Sequence, residues 1–166
     1  MSEETPLRYY TGVGSRKAPP VAIDRMVAIG AAMAALGWVL RSGGADGSDT
    51  AFEVGCKANN GDREIYLPWK GFNGHDSTLF FLLFPKVLQD KALELAASVH
   101  PAWGAVKSWA KLLHARNVFQ VLGQDLNTPS ERVICWTPGG KCVGGTATAI
   151  RLAEMHNIPV INLGVE

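Results

Sequence analysis

Apolar positions along this chain fall into two alternating patterns. Short apolar runs occupy residues 8–13, 38–42, 64–68, 132–137 and 159–163. They are too short for stable helices, and glycine, proline or asparagine follows most of them. They read as buried strands. Between them lie longer stretches with helical spacing. From Val21 to Leu36 the apolar set Ile23, Met26, Val27, Ile29, Met33 and Ala34 marks one helix face. Pro19 and Pro20 suit its first turn, and Gly37 suits its C-terminal cap. Further helices are predicted over 47–59, 86–99, 104–122 and 145–156. The buried stripe of 104–122 is read as Val106, Trp109, Leu112, Leu113, Phe119 and Leu122.

Strands that alternate with helices at this spacing predict a parallel sheet. The expected fold class is α/β: a Rossmann-like three-layer sandwich with about five strands in the order 3-2-1-4-5. The switch point then falls between strands one and four. One domain is expected over residues 1–166. The stretch 69–85 resists this reading. Trp69 to Asp76 reads as an aromatic loop, and Phe80-Phe81-Leu82-Leu83-Phe84 as either core or a subunit contact. That run motivates the expectation of a homodimer or higher homo-oligomer.

Composition narrows the class. Hydrophobic residues make up 47% of the 166, enough for a single core, and the formal net charge is +1. No bulk charge points to a membrane surface or to nucleic acid, although a local basic patch is compatible with it. No apolar run approaches the roughly 20 residues that span a bilayer. The start, Met1 to Pro6, is acidic and polar, unlike a secretory signal. Cys56, Cys135 and Cys142 have no metal-ligand spacing and read as reduced thiols of a cytoplasmic protein. No metal or resident cofactor is expected.

The candidate chemistry sits where strands end. Strand two runs into Arg41-Ser42-Gly43-Gly44-Ala45-Asp46-Gly47-Ser48-Asp49-Thr50 and then a helix. A glycine-rich turn before a helix N-terminus presents backbone N–H groups beside the positive end of the helix dipole, which favours an anion. The alternative is a tight turn with Asp46 or Asp49 as cap. The device recurs at Gly12-Val13-Gly14-Ser15-Arg16 after strand one. It recurs again after strand four, where Thr137-Pro138-Gly139-Gly140 leads to Gly144-Gly145-Thr146. In a parallel sheet these loops share one edge, where open α/β sheets bind ligands.

Arg16 suits bidentate phosphate binding. Ser42 and Thr146 either donate hydroxyls to phosphate or cap helices. Asp46 and Asp49 would repel a phosphate set against them, so they fit as caps or as acceptors for ribose hydroxyls. Arg116, followed by Asn117, lies mid-helix among apolar neighbours and must be either ion-paired or aimed at the site. His114 reads as structural. Trp69 and Phe72 read as core aromatics or as a stacking surface for a base.

Several of these motifs, in this order, resemble those of the SMF/DprA–LOG (SLOG) superfamily. They are Gly14-Ser15-Arg16, Ser42 through Ala51, Arg116-Asn117, and Gly145-Thr146 through Ala149. The resemblance spans nearly the whole chain except about 69–105. It is nearest to the DNA-processing protein A domain, whose SGGARGID loop is similar to Ser42–Asp49 and whose RN pair is similar to Arg116-Asn117. That likeness implies a Rossmann-like domain that binds single-stranded DNA. The phosphoribohydrolase branch carries Pro-Gly-Gly-x-Gly-Thr-x-x-Glu. Here four residues intervene, and Ala149 stands where the catalytic glutamate belongs, so no catalytic residue is assigned.

The leading expectation is binding of a nucleotide or nucleotide-derived small molecule by a sensor, carrier or sequestering protein. The residues assigned to it are Gly14, Ser15, Arg16, Ser42, Gly43, Gly44, Ala45, Asp46, Gly47, Asp49, Arg116, Asn117, Thr137, Gly144, Gly145 and Thr146. Alternatives are a minimal protein for single-stranded DNA and a phosphoribohydrolase.

Overall fold

The computed structural model describes residues 5–165; the polar start at Met1 to Glu4 lies outside them. Among the described residues a parallel sheet runs through the middle. Its strands are β1 (Arg8–Gly14), β2 (Trp38–Ser42), β3 (Arg63–Leu67), β4 (Leu79–Phe80), β5 (Val133–Trp136) and β6 (Val160–Asn162). Their order is β4-β3-β2-β1-β5-β6, and every pairing is parallel. The five expected strands keep their expected order. The difference is β4, a two-residue strand added outside β3. Two residues are too few for a period to show, and only pairing with Tyr66 and Leu67 makes them a strand.

Alternation along the strands feeds two cores. Tyr10, Leu40, Ile65, Leu67 and Ile134 pack beneath α1 (Pro20–Ala35) and α2 (Ser48–Ala58). Val13, Tyr66, Val133 and Cys135 face α3 (Lys86–Val99), α4 (Ser108–Leu122) and α5 (Thr146–Met155). Helices on both faces of the sheet make three layers. On the first face, α1 and α2 meet through two glycines. A Cβ at Gly30 would press on the backbone of Phe52, and one at Gly55 on the carbonyl of Val27.

Helix α4 departs from the amphipathic reading. Trp109, expected in the buried stripe, is 56% exposed. The last two turns, Ala115 to Leu122, are buried all round. A helix enclosed on every side has no single apolar face to show, and the three polar residues it encloses, Arg116, Asn117 and Gln120, are those of interest below.

The aromatic stretch after β3 is pinned down. His75 accepts from the Ser77 N–H at Nδ1 (3.0 Å), so Nε2 carries the proton and donates to Glu53 (2.9 Å). Asn73 donates to the Gly44 carbonyl and to Asp46. Of the apolar run 80–84, Phe81 is buried and Phe84 stacks on Phe119 at 4.3 Å, whereas Leu82 and Leu83 are exposed. Among the described residues no helix is long and apolar enough to cross a membrane.

Candidate functional site

The three glycine loops meet at the carboxyl ends of β1 and β5, on one side of a cavity of about 420 Å3. This is the switch point of the sheet, where chain connections leave in opposite directions. Gly14 to Lys17 come from the loop after β1, Ala45 and Asp49 from the second, and Gly144 to Thr146 from the third. Helix α4 closes the far wall with His114, Arg116, Asn117 and Gln120.

The loops hold their places because glycine lets them touch. A Cβ on Gly47 would overlap the Arg16 backbone, and one on Gly14 would meet the Trp136 carbonyl and the Ser48 side chain. The Ser48 hydroxyl then donates to the Ser15 carbonyl at 2.8 Å. Gly43 lies against Gln120, Arg116 and Asp49, with no room for a side chain. Gly44, at φ +69, faces Leu67 and His75 rather than the cavity. Of the candidate glycines, only Gly144 and Gly145 have open space where a Cβ would stand. Glycines expected to admit a ligand mostly admit neighbouring chain instead.

Arg116 follows neither alternative alone: among the described residues it forms no ion pair, and it bonds chain carbonyls while lining the cavity. It is 6% exposed, and its guanidinium donates to the Gly43 and Tyr66 carbonyls and, through Nε, to Asn117 Oδ1. The phenyl ring of Phe72, which is not part of the cavity lining, lies 5.4 Å from Arg116 Cζ. Asn117 Nδ2 donates to the Gly145 carbonyl at 2.9 Å. The Arg116-Asn117 pair therefore ties the second loop, the end of β3 and the third loop to one helix. Both residues also line the cavity.

Asp49 is the one carboxylate in the lining. It is 5% exposed and accepts the Ala45 N–H at 3.3 Å. Burial pushes its acid up to about 6, against the pull of Arg116 and of backbone donors at Ala45 and Gly14. Burial likewise lowers Arg116 to about 10 despite Asp49. For both groups desolvation outweighs their attraction. A carboxyl whose folded value is raised stabilises the fold fully below its unfolded value, near pH 4, and loses that contribution as pH rises through about 6. Asp49→Asn abolishes the loss. The stability of Asp49→Asn minus that of the wild type should therefore rise by about 2–3 kcal/mol between pH 4 and 7. Urea denaturation of both proteins at several pH values measures it, and a flat difference would contradict the assigned burial of charge.

Six candidates lie off the cavity lining: Ser42, Gly43, Gly44, Asp46, Gly47 and Thr137. Ser42 is fully buried and donates to the Gly12 carbonyl at 2.6 Å. Thr137 is buried and exchanges hydrogen bonds with Asn162. Asp46 is exposed and bonded to Asn73. Neither aspartate caps α2, whose N-cap is Gly47, with no side-chain cap. Helix α5 also starts without a side-chain cap, with Gly145 and Thr146 on the cavity wall.

Eight lining residues carry no assignment from the sequence, among them Lys17, His114, Gln120 and Ala149. Lys17 adjoins Arg16, and that adjacency was a readable signal. His114 and Gln120 lie one turn either side of Arg116-Asn117, so they face the same way once that pair is placed. Ala149 brings only a methyl group to the wall.

No protein-family model matches the chain, and no curated protein matches it. Among solved structures it is similar to DNA processing protein A from Helicobacter pylori, described for its single-stranded DNA binding mode. Identity is 19% and the TM-score 0.59, over 95% of this chain but 65% of that one. This chain thus spans less than two thirds of that protein's length. It is also similar to the Moco carrier protein of Chlamydomonas rheinhardtii, at 17% identity and a TM-score of 0.56, over 97% of this chain and 78% of that one. At such identities the likeness establishes architecture and leaves function to the site. The chain carries the Rossmann-like fold that it shares with these two proteins.

Proposed function

We propose that this protein binds a nucleotide or nucleotide-derived ligand in the switch-point cavity, with phosphate against Gly14–Lys17 and the first turn of α5. The observation that carries this reading is the charge of the lining. Arg16, Lys17 and Arg116 stand against the single carboxylate of Asp49. An anion there meets two exposed cations, a buried one already bonded to chain carbonyls and an uncapped helix N-terminus. The cavity volume suits a small molecule. A carrier or sensor role fits this lining, which lacks a carboxylate on α5, since Ala149 cannot act as acid or base. Likeness to a Moco carrier protein supports the same direction.

A second reading is single-stranded DNA. It is favoured by the likeness to DNA processing protein A and by the exposure of Arg16 and Lys17 at the rim. Calorimetric titration with ADP, ADP-ribose and a short single strand separates the two. Arg16→Ala should remove a charge-assisted bond of roughly 1.5–3 kcal/mol and weaken ADP roughly ten- to hundredfold. Its melting temperature should stay within about 2 °C of wild type, because an exposed loop arginine contributes little to folding. Equal ADP affinity in the two proteins would refute the role given to Arg16. Tight binding of the strand alone, with a steep salt dependence, would establish the second reading.

A further inference from the structure

A second hollow of about 480 Å3 adjoins the cavity. The two share the wall formed by His114, Val143, Gly144 and Gly145. Beyond that wall the lining changes to His100, Cys142, Thr148 and Arg151, with no carboxylate. Most of this lining is supplied by the third loop and α5, but His100 belongs to the stretch that precedes α4, outside every glycine motif.

Two of its polar groups, Arg151 and His100, are donors that the fold leaves available. Arg151 is half-buried on α5, and among the described residues it forms no ion pair and no hydrogen bond with a side chain. His100 accepts the Ala102 N–H at Nδ1 (3.0 Å), which places the proton of the neutral ring on Nε2 as a donor. His114 is fixed by Thr148, Nδ1 to Oγ1 at 2.7 Å. Its ring meets that of His100 edge to face at 4.8 Å, and Trp103 backs both. The two imidazoles and the indole form a rigid aromatic corner between the hollows. Burial first, then the neighbouring His100 and Arg116, push His114 below its ordinary value and so disfavour its charged form.

The geometry points to a second anion subsite at Arg151 and His100, so that the ligand of the main cavity is a dinucleotide whose second phosphate crosses the Gly144-Gly145 wall. This rests on the nucleotide reading of the first cavity and extends it. Glycines at 144 and 145 leave open space above the wall, which a chain of ribose and phosphate needs to pass. The aromatic corner lies where a base between two phosphates would stack. A long polyanion fits less well. Glu154, exposed one turn beyond Arg151 on the same helix, ends the run of cations.

The test uses the full chain and three probes: AMP, the 5′-phosphorylated dinucleotide pApA, and a twelve-nucleotide poly-dA strand. Each is titrated calorimetrically into the wild type, Arg16→Ala and Arg151→Gln. In the wild type, pApA should bind roughly tenfold or more tighter than AMP. Arg151→Gln should abolish that advantage and leave AMP within about twofold, as expected for a cation that contacts only the second phosphate. Arg16→Ala should weaken both probes. Melting curves check the fold, which Arg151→Gln spares because Arg151 has no ion-pair partner among the described residues. If AMP binds and depends on Arg16 but pApA gains nothing, or keeps its gain in Arg151→Gln, the second subsite is overturned and the main site stands. If neither AMP nor pApA binds the wild type, the nucleotide reading falls and takes the subsite with it. If the long strand binds far more tightly than pApA, the occupant is a nucleic-acid strand and the small-ligand assignment is overturned.

Discussion

Arg116→Met is expected to cost about 3–5 kcal/mol of folding stability, because it leaves buried carbonyls unpaired and a nearby buried carboxylate without a cation. The guanidinium donates to two carbonyls from separate elements, Gly43 and Tyr66, and to the neighbouring Asn117. A methionine fills similar volume but leaves both carbonyls without that donor. It also leaves Asp49 buried without its counter-charge. Removing the second charge should repair part of the damage, so Arg116→Met with Asp49→Asn should be more stable than Arg116→Met alone. Urea denaturation of the two singles and the double gives the coupling directly. A loss under about 1 kcal/mol for Arg116→Met would show that the pair is not the clamp described. Binding should fail along with stability, because the second and third loops are both tied through Arg116 and Asn117.

Gly55→Leu should be the most damaging change on the opposite face of the sheet. There α1 and α2 approach so closely that a Cβ at Gly55 would overlap the Val27 carbonyl and crowd the Ala31 N–H. Backbone atoms cannot rotate aside as side-chain ends do, so the helices must separate. Overpacking of this kind costs about 3 kcal/mol or more. For a chain of this size that corresponds to a fall in melting temperature of roughly 6–12 °C. Gly61→Ala is a useful contrast. Its nearest obstacles are the Ala34 methyl and the Cys56 thiol, side-chain atoms beside a turn, so its loss should be smaller. A Gly55→Leu protein that melts within about 2 °C of wild type would mean the helices are not in the contact described. Because α2 carries Asp49 in its first turn, a shift of this helix also reaches the cavity.

Both variants probe features that differ in how far the sequence revealed them. The strands at 8–13, 38–42, 64–68, 132–137 and 159–163 were legible because burial on both faces of a parallel sheet leaves short continuous apolar runs. Their order followed from the right-handed crossover and the shortness of the connections. The meeting of the glycine loops at one edge followed from the same rule, since parallel strands all end on one side. These are local patterns combined with one chirality rule, and a single sequence carries both.

Other features were decided only when distant segments packed. Whether Arg116 was paired or aimed at the site depended on Gly43, Tyr66 and Asp49, which are far from it in the chain. A mid-helix arginine looks the same in sequence either way. Ser42 and Thr137 were assigned to a ligand by type and position, yet their hydroxyls bond to Gly12 and Asn162 in neighbouring strands. The glycines at 14, 43 and 47 matched a phosphate loop, but their lack of a Cβ serves loop-to-loop contact, which no local motif distinguishes from contact with a ligand. Trp109 fell outside the core because α4 is enclosed only along its second half, and its apolar stripe was read as if the whole length were buried. The strand β4 and the His100 side of the second hollow come from residues 69–105, where no glycine motif stands out. Sequence determined this protein's layers, strand order and the edge where the glycine loops meet, because those follow from periodicity and chirality. Tertiary structure alone decided which polar groups at that edge are spent on the fold and which remain to meet a ligand, because that depends on which distant partners each one finds.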